Sequence, residues 1–124
     1  MTDEAASPVT VVSETISLAT LKEIAASGFG DLVKAVVDVE RGVMAVGGEL
    51  HSDGEAILLD TGSRQADLWG INLYPDEYGA EGWIEYDSLI NIRPRQGNRS
   101  RLVEDSGVRA AVVDIVGRLV KPNG

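Results

Sequence analysis

The chain has 124 residues, of which 44% are hydrophobic and 25% charged, a composition typical of one globular domain with a single core. It carries 20 acidic residues against 11 Lys and Arg, a net charge of -9 at pH 7, so its average field opposes binding to nucleic acid or to anionic membranes. The absence of cysteine excludes disulfides, thiolate nucleophiles and cysteine zinc sites, and no apolar run is long enough to span a membrane.

The N-terminal stretch MTDEAASPVT is acidic and lacks the basic and apolar regions of a secretory signal. Together with the absence of cysteine, this predicts a cytoplasmic protein with one domain over residues 1–124 and a flexible tail over residues 1–8. The β-branched residues of 8–16 predict a first strand. Ser17 offers an N-cap oxygen for a helix over residues 18–27, which Gly28 ends.

The stretch LVKAVVDVERGVMAVGG, residues 32–48, predicts a β-hairpin. Apolar residues alternate from Val33 to Val39, and a turn precedes a second strand at 43–46. Ser52 and Glu55 then have the spacing of a capping box, which predicts a short helix that covers the sheet.

Two further strands are predicted at residues 67–74 and 83–93, ended by Pro75 and Pro94. In WIEYDSLINIR, residues 83–93, one face is mostly apolar and the other mostly polar, as expected of an unbroken strand. Asp105 or Ser106 caps a last helix that extends to about residue 120. The order β-α-β-β-α-β-β-α predicts an α+β domain in which about three helices lie on a mostly antiparallel sheet.

The excess of acids, with only three lysines, is typical of a protein adapted to concentrated salt. At about 1 M salt the Debye length falls to about 3 Å, which screens the repulsion between carboxylates. The alternative is an acidic protein without such adaptation, because any net charge well away from zero favours solubility.

The segment NIRPRQGNRSR, residues 91–101, holds four of the arginines and is rich in hydrogen-bond donors. It leads into the N-terminus of the last helix, whose free N–H groups and positive dipole end favour negative charge. We therefore predict a small-anion site, for a phosphate, carboxylate or nucleotide. The predicted ligands are Arg93, Arg99, Arg101, Asn91, Asn98 and Ser100.

Two other interpretations of this segment stay open. Nearby acids such as Glu85, Asp87 and Glu104 can form internal ion pairs with the arginines. RNA or single-stranded DNA could also bind the arginines, with aromatic residues for stacking, although the net charge makes a nucleic-acid partner unlikely.

His51 is the only histidine, and no G-x-S-x-G motif is present, so a serine hydrolase would need the fold to bring a serine and an acid to it. Glu49, His51 and Asp53 alternate as metal ligands in a strand would, but Asp53 also suits a helix start, and we predict no metal and no cofactor. For an enzyme acting on a phosphate-bearing small molecule, Asp87 and His51 are the candidate bases. A paired-carboxylate site at Glu85 and Asp87 is a weaker alternative.

The stretches GDLVKAVVDVERGVMAVGGELHSDGEAILLDTGSRQADLWGINLYP and WIEYDSLINIRPRQGNRSRLVED resemble a family of small conserved prokaryotic proteins of unknown function. The resemblance covers most of residues 18–120 and implies a compact single domain with no established activity, so it assigns no catalytic residue. In its acidity and lysine poverty the chain resembles a member from a halophilic archaeon. From the residues, the prediction is a binding or interaction module with an arginine-rich anion-recognising loop.

Overall fold

The computed structural model describes residues 8–122 and confirms the α+β prediction. The predicted flexible tail lies outside the described residues, except for Pro8. In chain order the elements are β1 (Val9–Val12), β2 (Ile16–Ser17), α1 (Leu18–Ser27), β3 (Val33–Asp38), β4 (Val43–Gly47), α2 (His51–Asp60), β5 (Leu68–Leu73), β6 (Ile84–Glu85), α3 (Ser106–Leu119) and β7 (Val120–Lys121).

Five strands form one sheet in the order β1-β4-β3-β5-β6, and every neighbouring pair is antiparallel. The short strands β2 and β7 pair in parallel outside it. Because side chains alternate across a strand, the sheet has two apolar faces. One face packs with Leu21 of α1 and Val112 of α3, and the other packs with Leu58 of α2. The helices therefore lie on both faces of the sheet.

The caps of the first and last helices form as the sequence predicts. The Ser17 hydroxyl accepts a hydrogen bond from the Thr20 N–H at 3.0 Å, and α1 covers the predicted residues. The Asp105 carboxylate accepts hydrogen bonds from the N–H groups of Gly107 and Val108 at the start of α3. These hydrogen bonds satisfy N–H groups that the helix itself leaves unpaired.

The predicted start of α2 is wrong by two residues, and its predicted cap is wrong. The helix begins at His51, before Ser52. The side chain that bonds back to the N-cap backbone is that of Asp53, which accepts from the Leu50 N–H at 3.0 Å. Glu55 instead accepts a hydrogen bond from Gln65. As a consequence His51 occupies the first turn, at the end of the helix that faces the sheet.

The predicted strand over residues 83–93 is also wrong. Only Ile84–Glu85 pairs with β5, and the chain then leaves the sheet through a 3-10 turn at Leu89–Asn91. The Asn91 carboxamide takes the place of a paired strand, since its Oδ1 accepts from the Gly70 N–H at 2.8 Å and its Nδ2 donates to the Gly70 carbonyl at 3.0 Å. A side chain thereby satisfies the backbone edge of β5 that no strand covers.

Gly70 allows this segment to approach the sheet closely. A Cβ atom at position 70 would lie 2.6 Å from both Cβ and Oγ of Ser88, and 3.1 Å from a side-chain carbon of Ile90. Cβ atoms essentially never approach another atom as closely as 2.6 Å, so a residue with a side chain would push the segment away. The absence of a side chain at Gly70 therefore sets the position of residues 88–91 above β5.

Candidate functional site

A cleft of about 440 Å³ opens between the N-terminus of α2, the adjoining surface of the sheet and the segment after β6. Its volume lies in the range of small-molecule sites, about 300 to 1,000 Å³. Its polar lining comes from five separate parts of the chain: Lys34, His51, Ser52, Asn72, Asp87, Ser88 and Arg101. The cleft unites three residues singled out from the sequence, namely His51, Asp87 and Arg101.

A polar row crosses the sheet beside the cleft. Lys34 lies opposite Asn72, and Asn72 lies opposite Glu85, so the three project from one face of adjacent strands. The Asn72 Nδ2 donates to the Glu85 carboxylate at 2.8 Å and to the Asp87 carbonyl at 3.2 Å. Both partners are acceptors, which fixes the orientation of the carboxamide.

The oxygen of the same carboxamide has no partner. Asn72 is 8% exposed, and its Oδ1 is buried without a hydrogen bond among the described residues. A buried acceptor left unpaired costs about 1 to 3 kcal/mol. A small turn of the carboxamide toward the cleft would bring this oxygen within reach of a ligand N–H or O–H, and that hydrogen bond would remove the cost.

His51 is held as a neutral imidazole at the wall of the cleft. Its Nε2 lies 2.8 Å from the Ile71 carbonyl oxygen, which can only accept, so Nε2 carries the proton and Nδ1 is an acceptor. Burial lowers the pKa of His51, the Ile71 hydrogen bond opposes the shift, and the nearby charge of Lys34 lowers it further. At neutral pH the ring therefore adds no positive charge to the cleft.

Asp87 and Arg101 form an ion pair at the opposite wall. The Arg101 Nε lies 2.7 Å from the Asp87 Oδ1, and the two side chains are 55% and 36% exposed. An exposed pair of this kind contributes little to stability. The terminal guanidinium nitrogens of Arg101 make no hydrogen bond within residues 8–122, so they can donate to a ligand while Nε holds Asp87.

The arginine segment divides into residues with different surroundings. Arg93 is half-buried over the Trp69 ring, with its guanidinium 4.6 Å from the ring centroid. It donates to the carbonyl oxygens of Ile90, Gln65 and Leu68, and its burial lowers the pKa of this guanidinium. Arg93 therefore supports the edge of β5, as Asn91 does, and does not line the cleft.

Internal groups occupy several of the other predicted donors of this segment. The Asn98 Nδ2 donates to three backbone carbonyls, and its Oδ1 accepts from the Glu104 N–H. The Glu104 carboxylate accepts from the N–H groups of Arg99 and Ser100, and these hydrogen bonds, those of Ser100 first, lower the pKa of Glu104. With Asp105 at the N-cap of α3, internal carboxylates bind several backbone N–H groups near the anion site that the sequence predicts. The Arg99 guanidinium makes no hydrogen bond within residues 8–122, and its role in anion binding stays a prediction.

The cleft contains a histidine, serines and an acid, but they do not form a catalytic triad. Within residues 8–122 no hydrogen bond joins His51 to a serine or to a carboxylate. The Ser88 hydroxyl instead accepts a hydrogen bond from the Ile90 N–H. His51 and Asp87 share the cleft as separate groups.

Two other kinds of feature are absent from residues 8–122. No three His, Asp or Glu side chains converge on a point where they could hold a metal ion. No helix there has both the length and the apolar character needed to cross a membrane.

Sequence reasoning missed Lys34 and Asn72. Lys34 shares the stretch VKAVVD with one other charged residue, Asp38, and Asn72 is the only amide or charged residue of LWGINL. A polar residue among apolar ones on the α2-facing side of each strand was the available signal. Lys34 and Asn72 lie side by side because β3 pairs with β5. Neither stretch of sequence alone predicts that pairing.

The sequence matches the family described as protein of unknown function (DUF5674) over residues 10–119, and the chain belongs to this family. The predicted resemblance to a family of unknown function is thereby confirmed. No curated protein and no solved structure matches the chain.

Proposed function

We propose that this member of the DUF5674 family binds a small anion in the cleft between α2 and β5. One observation carries the proposal: the buried, unpaired Oδ1 of Asn72 adjoins a cleft lined by the cations Lys34 and Arg101. Cations around an orphan acceptor suit an anion that also carries an N–H or O–H donor. Inorganic phosphate carries a P–OH donor at neutral pH and a phosphate monoester carries one in its monoanionic form, whereas sulfate has no such donor.

The charge of the cleft supports this ligand class. Lys34, Arg101 and Asp87 sum to one positive charge, in a chain whose net charge is -9. The first turn of α2 adds the N–H groups of His51 and Ser52 and the positive end of the helix dipole, while the Leu50 N–H is bonded to the Asp53 carboxylate. An acidic protein with a local cationic cleft discriminates in favour of small anions and against polyanions such as RNA, which would meet the acidic surface around it.

Of the loop arginines that the sequence predicts as anion ligands, the proposal uses only Arg101 and adds Lys34 as the second cation. Arg101 lines the cleft, whereas Arg99 does not. Replacing each of these arginines in turn therefore shows whether the cleft or the arginine loop binds the anion. Calorimetric titration with phosphate, sulfate and AMP at fixed ionic strength should show binding to the wild type, with phosphate tighter than sulfate. Each charge-assisted hydrogen bond contributes about 1.5 to 3 kcal/mol, so Arg101→Ala and Lys34→Met should each weaken phosphate binding about 10- to 150-fold.

Arg99→Ala is the matched control and should bind phosphate as the wild type does. If Arg99→Ala abolished binding and Lys34→Met did not, the loop would be the site and the cleft would not. If no anion bound to the wild type, anion recognition would be refuted altogether.

An enzyme acting on a phosphate ester is the second candidate. The observation in its favour is that His51 and Asp87, the two candidate bases, line the same cleft. The Nδ1 of the neutral His51 ring can accept a proton near neutral pH. Release of phosphate from a phenyl phosphate ester by the wild type, lost in His51→Gln while phosphate binding persists, would establish turnover.

We also propose a setting for the protein: a prokaryotic cytoplasm with concentrated salt. The excess of acids over bases supports the salt adaptation, and the absence of cysteine fits a reducing compartment. The dependence of stability on KCl concentration tests the salt adaptation.

A further inference from the structure

Three of the large exposed hydrophobic side chains lie together at the mouth of the cleft. Phe29, Leu50 and Leu89 are 48%, 58% and 66% exposed, and all three line it. They come from the α1–β3 loop, the N-cap of α2 and the segment after β6, so sequence proximity does not explain their grouping. Apolar side chains grouped at the opening of a polar cleft are typical of binding sites.

A second concavity, of about 110 Å³, adjoins the cleft and shares Phe29, Leu32 and Lys34 with it. Its other lining includes Ile24 and Val33, and glycine backbone, so it is mainly apolar. The Lys34 ammonium lies 5.1 Å from the centroid of the Phe29 ring, at the boundary between the two spaces. A polar cleft therefore continues into an apolar concavity across a single aromatic side chain.

We propose that the anion bound in the cleft carries a short apolar chain, which passes Phe29 and fills the adjoining concavity. The inference rests on the proposed anion binding and adds the class of ligand: an alkyl phosphate or a similar amphipathic anion. The charged group of the ligand contacts Lys34 and Arg101, and its alkyl chain contacts Phe29, Leu32 and Ile24.

The volume of the apolar concavity limits the length of the alkyl chain on the ligand. If each carbon group needs roughly the 30 Å³ of a liquid water molecule, about 110 Å³ holds three or four groups. Burial of one methylene is worth up to about a fourfold gain in affinity. Affinity should therefore rise about two- to fourfold per carbon from methyl phosphate to butyl phosphate, and level off for longer chains.

The experiment is calorimetric titration of the full chain with methyl, ethyl, butyl and octyl phosphate at fixed pH and ionic strength. Phe29→Ser should remove most of the gain from methyl to butyl phosphate. Ser27→Leu, which places a side chain in the apolar concavity, should have the same effect through a different change. Leu59→Ser is the matched control, because Leu59 is 41% exposed and lies outside both spaces.

The two proposals fail in different ways. Equal binding of methyl and butyl phosphate by the wild type would overturn the amphipathic ligand and leave anion binding in place. A chain-length gain that survives in both Phe29→Ser and Ser27→Leu would overturn the assignment to this concavity. Absence of binding for every phosphate would refute both proposals.

Discussion

The replacement Asn91→Ala tests whether a side chain closes the edge of β5. It removes three hydrogen bonds, to the Gly70 N–H, the Gly70 carbonyl and the Arg101 carbonyl. At about 1 kcal/mol each, the free energy of unfolding should fall by about 3 kcal/mol, and by more if the Gly70 N–H stays buried and unpaired. For a domain of this size the melting temperature should then fall by about 12 °C, at about 4 °C per kcal/mol.

Urea denaturation monitored by circular dichroism measures this change in the free energy of unfolding. The urea concentration at the midpoint should fall, whereas the dependence of the unfolding free energy on urea concentration, the m-value, should stay the same. Gln96→Ala is the control, since Gln96 is exposed and donates one hydrogen bond to this part of the chain, at 3.1 Å to the Ala66 carbonyl. The control should lose less than about 1 kcal/mol. An equally small loss in Asn91→Ala would refute the closing role and leave its carboxamide free to serve a ligand, as the sequence suggested.

Burial should place the NMR titration midpoint of the single histidine, His51, below about 6.5, and a midpoint at or above that value would contradict its buried, neutral state. The unfolded chain then binds the His51 proton more tightly than the folded chain does. The free energy of unfolding should therefore fall as the pH falls below about 6.5, and it should become constant once the pH is below the folded pKa of His51. His51→Gln should reduce this dependence of the free energy of unfolding on pH. The midpoint of thermal unfolding should rise from low salt to about 1 M KCl, and a flat or falling midpoint would rule out salt adaptation. Gly70→Ala should lower the free energy of unfolding, measured by urea denaturation, by about 1 to 3 kcal/mol. It should also weaken phosphate binding, because the added methyl group displaces Ser88 from the wall of the cleft. Unchanged stability and binding would show that residues 88–91 can move without affecting either the fold or the cleft.

The elements that the sequence predicts correctly are those fixed by local chemistry. Ser17 and Asp105 accept hydrogen bonds from N–H groups two or three residues away, so the start of each helix is written in a few adjacent residues. The β3–β4 hairpin likewise combines alternating apolar residues with a tight turn. Interactions of this range need no knowledge of the rest of the fold.

The wrongly predicted strand shows where local reasoning ends. The alternation in residues 83–93 is that of a strand, but the pairing that a strand would make is made instead by the side chains of Asn91 and Arg93. Both donate to carbonyls of β5 about 20 residues earlier. Amide and guanidinium groups can imitate a peptide group in this way, and periodicity records only which residues are apolar.

The candidate site depends on the same long-range contacts. Asp87 and Arg101 belong to one stretch of sequence, but Lys34, His51 and Asn72 join them only because β3 pairs with β5 and α2 begins above that pair. The sequence could identify titratable residues and could not determine which of them share a cleft.

The acidic surface and the cationic cleft are compatible because they act over different distances. At a net charge of -9 the surface repels an anion over about a Debye length, roughly 8 to 10 Å in moderate salt and about 3 Å at 1 M. The proposed hydrogen bonds from Lys34, Arg101 and the first turn of α2 would act at about 3 Å, well inside that length in moderate salt and no longer than it at about 1 M. Concentrated salt would therefore weaken the repulsion of an approaching anion more than the contacts proposed to hold it, so the proposed salt adaptation and the proposed anion binding are compatible.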